Sequence, residues 1–125
     1  KTGKQVESKD TSKVNEAAKL QEEIDKKKDS EINKNSSVLS KGDADETAKK
    51  QALTTMEELK DDKEMQQKVA QALSKEKLNV AVEIKDNTCI VNVFDKKDEK
   101  KLANEIMKTV SEVTNQKYFI EVTFK

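Results

Sequence analysis

Paired carboxylates are the most common residues in this chain that could take part in chemistry. Glu22-Glu23, Glu57-Glu58 and Asp61-Asp62 could provide a general acid and a general base, which requires a pocket that alters the acidity of one partner. All three pairs lie in lysine-rich stretches, so we interpret them as solvated surface charges. Asp43 and Asp45 have a DxD spacing without the other oxygen ligands of a calcium loop.

The single cysteine, Cys89, could be a nucleophile or a redox switch. The sequence has no histidine to activate it, and the strand pattern described below turns it toward the core. We interpret Cys89 as a buried structural thiol. Without histidine, and with one cysteine, the sequence offers no zinc or haem site and no disulfide framework. We predict no catalytic residue, no cofactor and no metal site, and hence a protein that is not an enzyme.

The charge balance argues against a nucleic-acid partner. Of 125 residues, 40% are charged, and 25 basic residues, all lysine, balance 25 acidic ones. There is no net positive field and no arginine to read phosphate in a bidentate way. The order of elements described below has some likeness to RNA-binding KH domains, which need a Gly-x-x-Gly loop, but Gly3 and Gly42 are the only glycines.

A period-two pattern predicts a β-hairpin in the C-terminal part of the chain. Asp86-Asn87 tolerates the left-handed backbone of a tight turn. A two-residue loop at this position sets one register between the strands. That register places Ile84 opposite Cys89, Val82 opposite Val91 and Val80 opposite Val93. The same register also places the apolar side chains on one face of the hairpin. The turn residues and the alternating pattern therefore predict the same strand pairing.

A helix and a third strand follow the hairpin, and another helix precedes it. Apolar residues at helical spacing from Leu102 to Val113 predict a helix, and the period-two pattern from Tyr118 to Phe124 predicts a strand. Before the hairpin, Met65, Val69 and Leu73 predict another helix, whose N-cap could be Asp61. We predict an α+β fold, with two helices on one face of a three-stranded sheet in the order α-β-β-α-β. The predicted core is Val80, Val82, Ile84, Cys89, Val91, Val93, Leu102, Ile106, Val110, Tyr118, Ile120, Val122 and Phe124.

The composition of the N-terminal third predicts an arm, a polar segment that lies outside the α+β domain. We expect residues 1–12 to be a mobile polar tether and Lys13 to Ile32 to form a thinly amphipathic helix that needs a surface to lie against. Residues 33–45, rich in Asn, Ser and Asp, should break the helix before the next begins. The predicted division is an arm, residues 1–44, and an α+β domain, residues 45–125.

The C-terminal residues also resemble a known family. ANEIMKTVSEVTNQKYFIEVTFK, residues 103–125, and the preceding LNVAVEIKDNTCIVNV are similar to the C-terminal domain of the stage III sporulation protein AH family of endospore-forming Firmicutes. Shared features are a hairpin with an Asn-containing turn, an Ala-Asn-Glu-Ile helix start and a closing strand with Lys117, Tyr118, Val122 and Phe124. The order of elements matches the ring-building motif of such proteins.

The resemblance implies a structural role in sporulation. It implies a single-pass protein of the mother-cell membrane whose domain lies between the mother-cell and forespore membranes. There it would bind stage II sporulation protein Q within a channel or zipper complex that forms during engulfment, and could self-associate into a ring. We expect the membrane anchor to be missing from this chain, which has no apolar run of about 18 residues. The alternative is an extracytoplasmic anchored binding module with a disordered stalk.

The outward face of the predicted sheet carries Ala81, Ile90, Phe94 and Phe119. The N-terminal helix could fold back over this face, or the four residues could be ordinary exposed apolar side chains. Alternatively, this face or an open strand edge docks a partner. For that case we predict Ile90, Phe94 and Phe119 as the partner-binding residues.

Overall fold

The α+β fold predicted from the sequence is confirmed. The structure, a computed structural model, describes the backbone of residues 2–125 and the side chains of residues 15–125. Its element order is α-α-β-β-α-β. The elements are α1 (Thr2–Ser40), α2 (Glu46–Lys75), β1 (Asn79–Lys85), β2 (Thr88–Phe94), α3 (Lys100–Thr114) and β3 (Phe119–Phe124).

The three strands form one sheet in the order β1-β2-β3. β1 and β2 are antiparallel, joined by a turn in which Asp86 and Asn87 have φ of 49° and 65°. Their register pairs Ile84 with Cys89, as the turn residues predicted. β3 lies parallel to β2, and α3 supplies the crossover that a parallel pair needs.

The main core lies between the inner face of the sheet and helices α2 and α3. Val69 and Leu73 of α2 and Ile106 and Val110 of α3 are fully buried against the strands. Of the predicted core, the residues buried here are Val82, Ile84, Cys89, Val91, Val93, Ile106, Val110 and Tyr118. Those partly buried at its margin are Val80, Leu102, Ile120, Val122 and Phe124. The margin lies mainly along β3, at one side of the sheet.

Helix α1 is longer than the sequence indicated. The predicted break at residues 33–45 is wrong over most of its length, because α1 continues to Ser40 and only residues 41–45 leave the helix. The polar side chains bond back to carbonyls one turn earlier: Asn35 Nδ2 donates to Glu31 O at 2.8 Å and Ser37 Oγ to Asn33 O at 3.1 Å. Asn and Ser are thus accommodated within a helix that packs along α2.

Helix α2 is also continuous, so the predicted start of a new helix at Asp61 is wrong. The N-cap is Asp45, whose Oδ1 accepts a hydrogen bond from Ala48 N–H at 2.7 Å. No glycine or proline occurs between Glu46 and Lys75, so nothing in the local sequence forces a break. At the far end of the domain, α3 stops at Asn115 in the left-handed conformation.

The thin apolar stripe of helix α1 packs against a surface of the domain, as the sequence predicted. It packs against α2 and β1 and covers part of the outward face of the sheet. Residues 1–12 lie outside the part of the chain whose side chains are described, so their mobility stays a prediction. The division of the chain at residue 44 also stays a prediction. Among the described helices, none is apolar over enough length to cross a bilayer.

Candidate interaction surfaces of the sheet

Helix α1 divides the outward face of the sheet into a covered half and an open half. Ala81 and Phe94 are buried against Ala17, Leu20 and Ile24 of α1. On β3, by contrast, the side chain of Phe119 is 73% exposed. The fold-back alternative therefore holds for the part of the face near β1.

The three predicted partner-binding residues are separated by this division. Phe94 lies under α1, Ile90 is half-buried, and Phe119 is the most exposed large apolar side chain among residues 15–125. Ile90 lies opposite Glu121 of β3, and Phe119 lies opposite Thr88 of β2. We call Ile90 and Phe119 the uncovered patch. The partner-binding role of the three residues stays a prediction, but Phe94 is not at the described surface.

The outer edge of β1 is occupied by side chains from both neighbouring helices. Gln21 of α1 bonds to both backbone groups of Val82: its Oε1 accepts from Val82 N–H at 2.7 Å and its Nε2 donates to Val82 O at 3.0 Å. Lys28 Nζ donates to Ile84 O at 2.5 Å, and Ile84 N–H donates to Gln66 Oε1 of α2 at 2.9 Å. The backbone groups of Val82 and Ile84 that would pair with another strand are therefore already satisfied.

Sequence reasoning missed these three edge-binding residues. Gln21 and Lys28 share a helical stripe with Ala17 and Ile24, at intervals of three or four residues. Gln66 precedes Val69 by three residues and is itself buried. The sequence signal that could have identified them is a polar residue at the helical spacing of an apolar stripe. Such a side chain is buried with the stripe and requires a hydrogen-bond partner there.

The outer edge of β3 is open in the described chain. Phe119 N–H donates to Asn87 O at 3.0 Å and Lys125 N–H to Val93 O at 2.8 Å, so the odd-numbered residues face β2. Alternation along a strand then directs the peptide groups of Ile120, Val122 and Phe124 away from the sheet. Among the side chains of residues 15–125, none forms a hydrogen bond with these groups. The middle of the β1 edge, at Val82 and Ile84, is therefore satisfied by side chains, whereas the β3 edge is open among the described residues.

A polar cleft of about 540 Å³ lies between α1, α2, the hairpin turn and Tyr118. Within it, Tyr118 Oη donates to Asp62 Oδ1 at 3.3 Å. Burial raises the pKa of the Asp62 carboxyl, with nearby Lys28 and the Tyr118 hydrogen bond opposing the rise. Burial and the Asp62 charge raise the pKa of Tyr118. The lining is mostly charged, unlike the apolar lining of typical small-molecule pockets, so this cleft does not favour the binding-module alternative.

The candidate chemical residues are not assembled into a site. Cys89 is fully buried, and burial raises the pKa of its thiol to about 12. The carboxylate pairs Glu22-Glu23 and Glu57-Glu58 are exposed on α1 and α2, and Asp61 is exposed beside Asp62. Within the described part of the chain, no three histidine, cysteine or acidic side chains are grouped to hold a metal ion.

Comparison with known proteins supports the fold. A chain of the SpoIIQ-SpoIIIAH pore-forming complex superposes with a TM-score of 0.71 at 17% sequence identity, over 82% of this chain and 90% of that one. No family model and no curated protein matches the sequence. The match confirms the SpoIIIAH-like fold indicated by the hairpin, the Ala-Asn-Glu-Ile helix and the closing strand.

Proposed function

We propose that this chain is a structural, non-enzymatic component of a complex of the SpoIIQ-SpoIIIAH type, and that it binds a SpoIIQ-like protein. The observation that carries the proposal is the shared fold, which extends over most of both chains. Within the described residues, Cys89 is buried and no three histidine, cysteine or acidic side chains are grouped to hold a metal ion. The sequence resemblance of residues 103–125 points to the same complex.

We place the partner on the uncovered patch. Phe119 is a large aromatic side chain exposed to solvent, and Ile90 lies near it on the neighbouring strand. Buried aromatic residues dominate the binding energy of many protein interfaces. Phe94 is left out of the proposed contact because α1 already covers it.

The proposed location follows from the same resemblance. The domain would lie between the mother-cell and forespore membranes, attached to the mother-cell membrane by a segment outside this sequence. Self-association into a ring would then place many copies side by side in a channel.

The test is a binding titration of the full chain against a purified SpoIIQ-like ectodomain. The double variant Ile90→Ser, Phe119→Ser should lose affinity by about thirtyfold or more, the scale of a hot-spot truncation. The matched control is Leu53→Ser, which truncates a 49% exposed apolar side chain on α2. The melting temperatures of both variants should stay near that of the parent.

Two results would count against the proposal, and they differ. If the parent chain does not bind the SpoIIQ-like domain, the proposed function is wrong. If the parent binds and the double variant binds equally well, the function stands and the docking surface lies elsewhere. Phe94→Ser is not a useful probe, because it would create a cavity under α1 and reduce stability.

A further inference from the structure

The cleft between α1, α2 and the hairpin turn contains a buried lysine that is not part of an ion pair. Lys28 lines this cleft and is only 7% exposed. Its Nζ donates one hydrogen bond, to the uncharged backbone oxygen of Ile84. None of the ion pairs formed among the described residues includes Lys28. A lysine ammonium has three donors, so two donors of Lys28 remain for another acceptor.

A carboxylate faces this ammonium from the α2 side of the cleft. Asp62 is half-buried, and its Oδ1 accepts a hydrogen bond from Tyr118 Oη at 3.3 Å. Burial raises the pKa of Asp62, and the charge of nearby Lys28 opposes this rise. The two charged groups nevertheless form no ion pair with each other in the described chain. Asp62 and Lys28 therefore face each other across a gap that neither side chain closes.

The gap has the size and the charge pattern of a site for a small polar molecule. An ammonium that is removed from bulk water requires a compensating charge or further hydrogen bonds. The volume of the cleft, about 540 Å³, lies in the range of small-molecule sites. Its charged lining does not suit an apolar molecule, but it suits a molecule that carries charges of both signs.

We propose that this cleft binds a small zwitterion, a molecule with one carboxylate and one ammonium group, such as a free amino acid or a short peptide. The carboxylate of the ligand accepts hydrogen bonds from Lys28 Nζ. The ammonium of the ligand donates to Oδ2 of Asp62, which accepts no hydrogen bond from the described residues.

The balance of charges favours a zwitterion over a simple ion. Six acidic side chains and four lysines line the cleft, so a simple anion would enter a region of net negative charge. A simple cation would leave the buried ammonium of Lys28 without a counter-charge and would be repelled by it. A zwitterion brings no net charge and supplies a partner to both Lys28 and Asp62.

This site is separate from the uncovered patch. Tyr118 belongs to the core on the inner face of the sheet, whereas Phe119 is exposed on the outward face. The inference goes beyond the proposed function and does not depend on the SpoIIQ-like partner. Its test needs no partner protein, so the two proposals can fail separately.

The test titrates the full chain with glycine, glycylglycine and triglycine, in which the two charges lie at increasing distances. Acetate and methylammonium at the same ionic strength are the single-charge controls. NMR follows the amides of Tyr118 and Lys85, because the Lys85 N–H shares its peptide group with Ile84 O. At least one zwitterion should bind about tenfold or more tighter than either single-charge probe, the scale of one charged hydrogen bond. Equal affinities, or no binding of any zwitterion, would overturn the proposal and show that the cleft holds solvent only.

Two variants test whether the ligand lies between the two charges. Lys28→Met and Asp62→Asn should each weaken binding of the tightest zwitterion by about tenfold or more. The matched controls are Lys26→Met on the same helix and Asp43→Asn in the loop after α1, both exposed and outside the cleft. Both controls should bind as the parent does. Unchanged binding in Lys28→Met and Asp62→Asn would place the ligand elsewhere and overturn the site.

Folding of the variants is checked by thermal melting, because Lys28→Met also removes the hydrogen bond to Ile84 O. Should this variant unfold, Asp62→Asn decides the question, since it leaves Lys28 and its bond to Ile84 in place. Weaker zwitterion binding by the folded Asp62→Asn chain would support the site, and unchanged binding would overturn it.

Discussion

Replacing Gln66 by leucine should destabilise the domain although the new side chain is more apolar. Gln66 is 1% exposed, and its Oε1 accepts the hydrogen bond of Ile84 N–H at 2.9 Å. Leucine fills a similar volume but cannot accept, so a buried amide at the β1 edge loses its partner. An unsatisfied buried donor costs about 1–3 kcal/mol. For a chain of this size we expect the melting temperature to fall by about 4–10 °C.

The neighbouring Gln67 provides the control, because it is the same residue type on the same helix and is exposed. Gln67→Leu should change the free energy of unfolding by less than about 0.5 kcal/mol. Thermal and urea unfolding followed by circular dichroism measure both variants, and hydrogen exchange should show faster exchange of the Ile84 amide in Gln66→Leu only. A Gln66→Leu variant as stable as the parent, with a protected Ile84 amide, would refute the reasoning about this edge.

Three further variants test the core, a helix start and the cleft. Val82→Asp buries an unpaired charge in the sheet and should abolish the cooperative melting transition, whereas unchanged melting would contradict its inward position. Asp45→Ala removes the bond to Ala48 N–H and should lower the unfolding free energy by about 1 kcal/mol in urea titrations. The pKa of Asp62 is raised from 3.8, so its ionisation opposes folding as pH rises through the folded pKa. Asp62→Asn should therefore raise the melting temperature at pH 7 and have no such effect below pH 3.8, unlike Asp61→Asn on the exposed side.

The hairpin could be predicted from the sequence because two local signals coincide there. Asp86-Asn87 fixes the loop length, and the alternation of Val82, Ile84 and Cys89 fixes which face is buried. Both signals act between residues close in the chain. The helix boundaries were less accessible, since Asn35 and Ser37 favour loops in isolation and became helical where α1 packs along α2.

The candidate site could be predicted only in part. Which outward-facing residues remain exposed depends on where α1 lies, and that position is set by contacts across about sixty residues of sequence, such as Gln21 with Val82. Nothing local distinguishes Phe94, which α1 covers, from Phe119, which it leaves exposed. The sequence therefore predicts which residues share a face of the sheet, but it does not predict which part of the outward face α1 covers.

The burial of Cys89 makes this protein convenient for spectroscopic labelling. With its thiol pKa raised to about 12, Cys89 is almost wholly unreactive toward maleimides near neutral pH while the sheet is closed. A cysteine introduced at an exposed position of α1 or β3 would then be the single reactive thiol, without first removing the native one. Slow modification of Cys89 itself would report the rate at which the core opens.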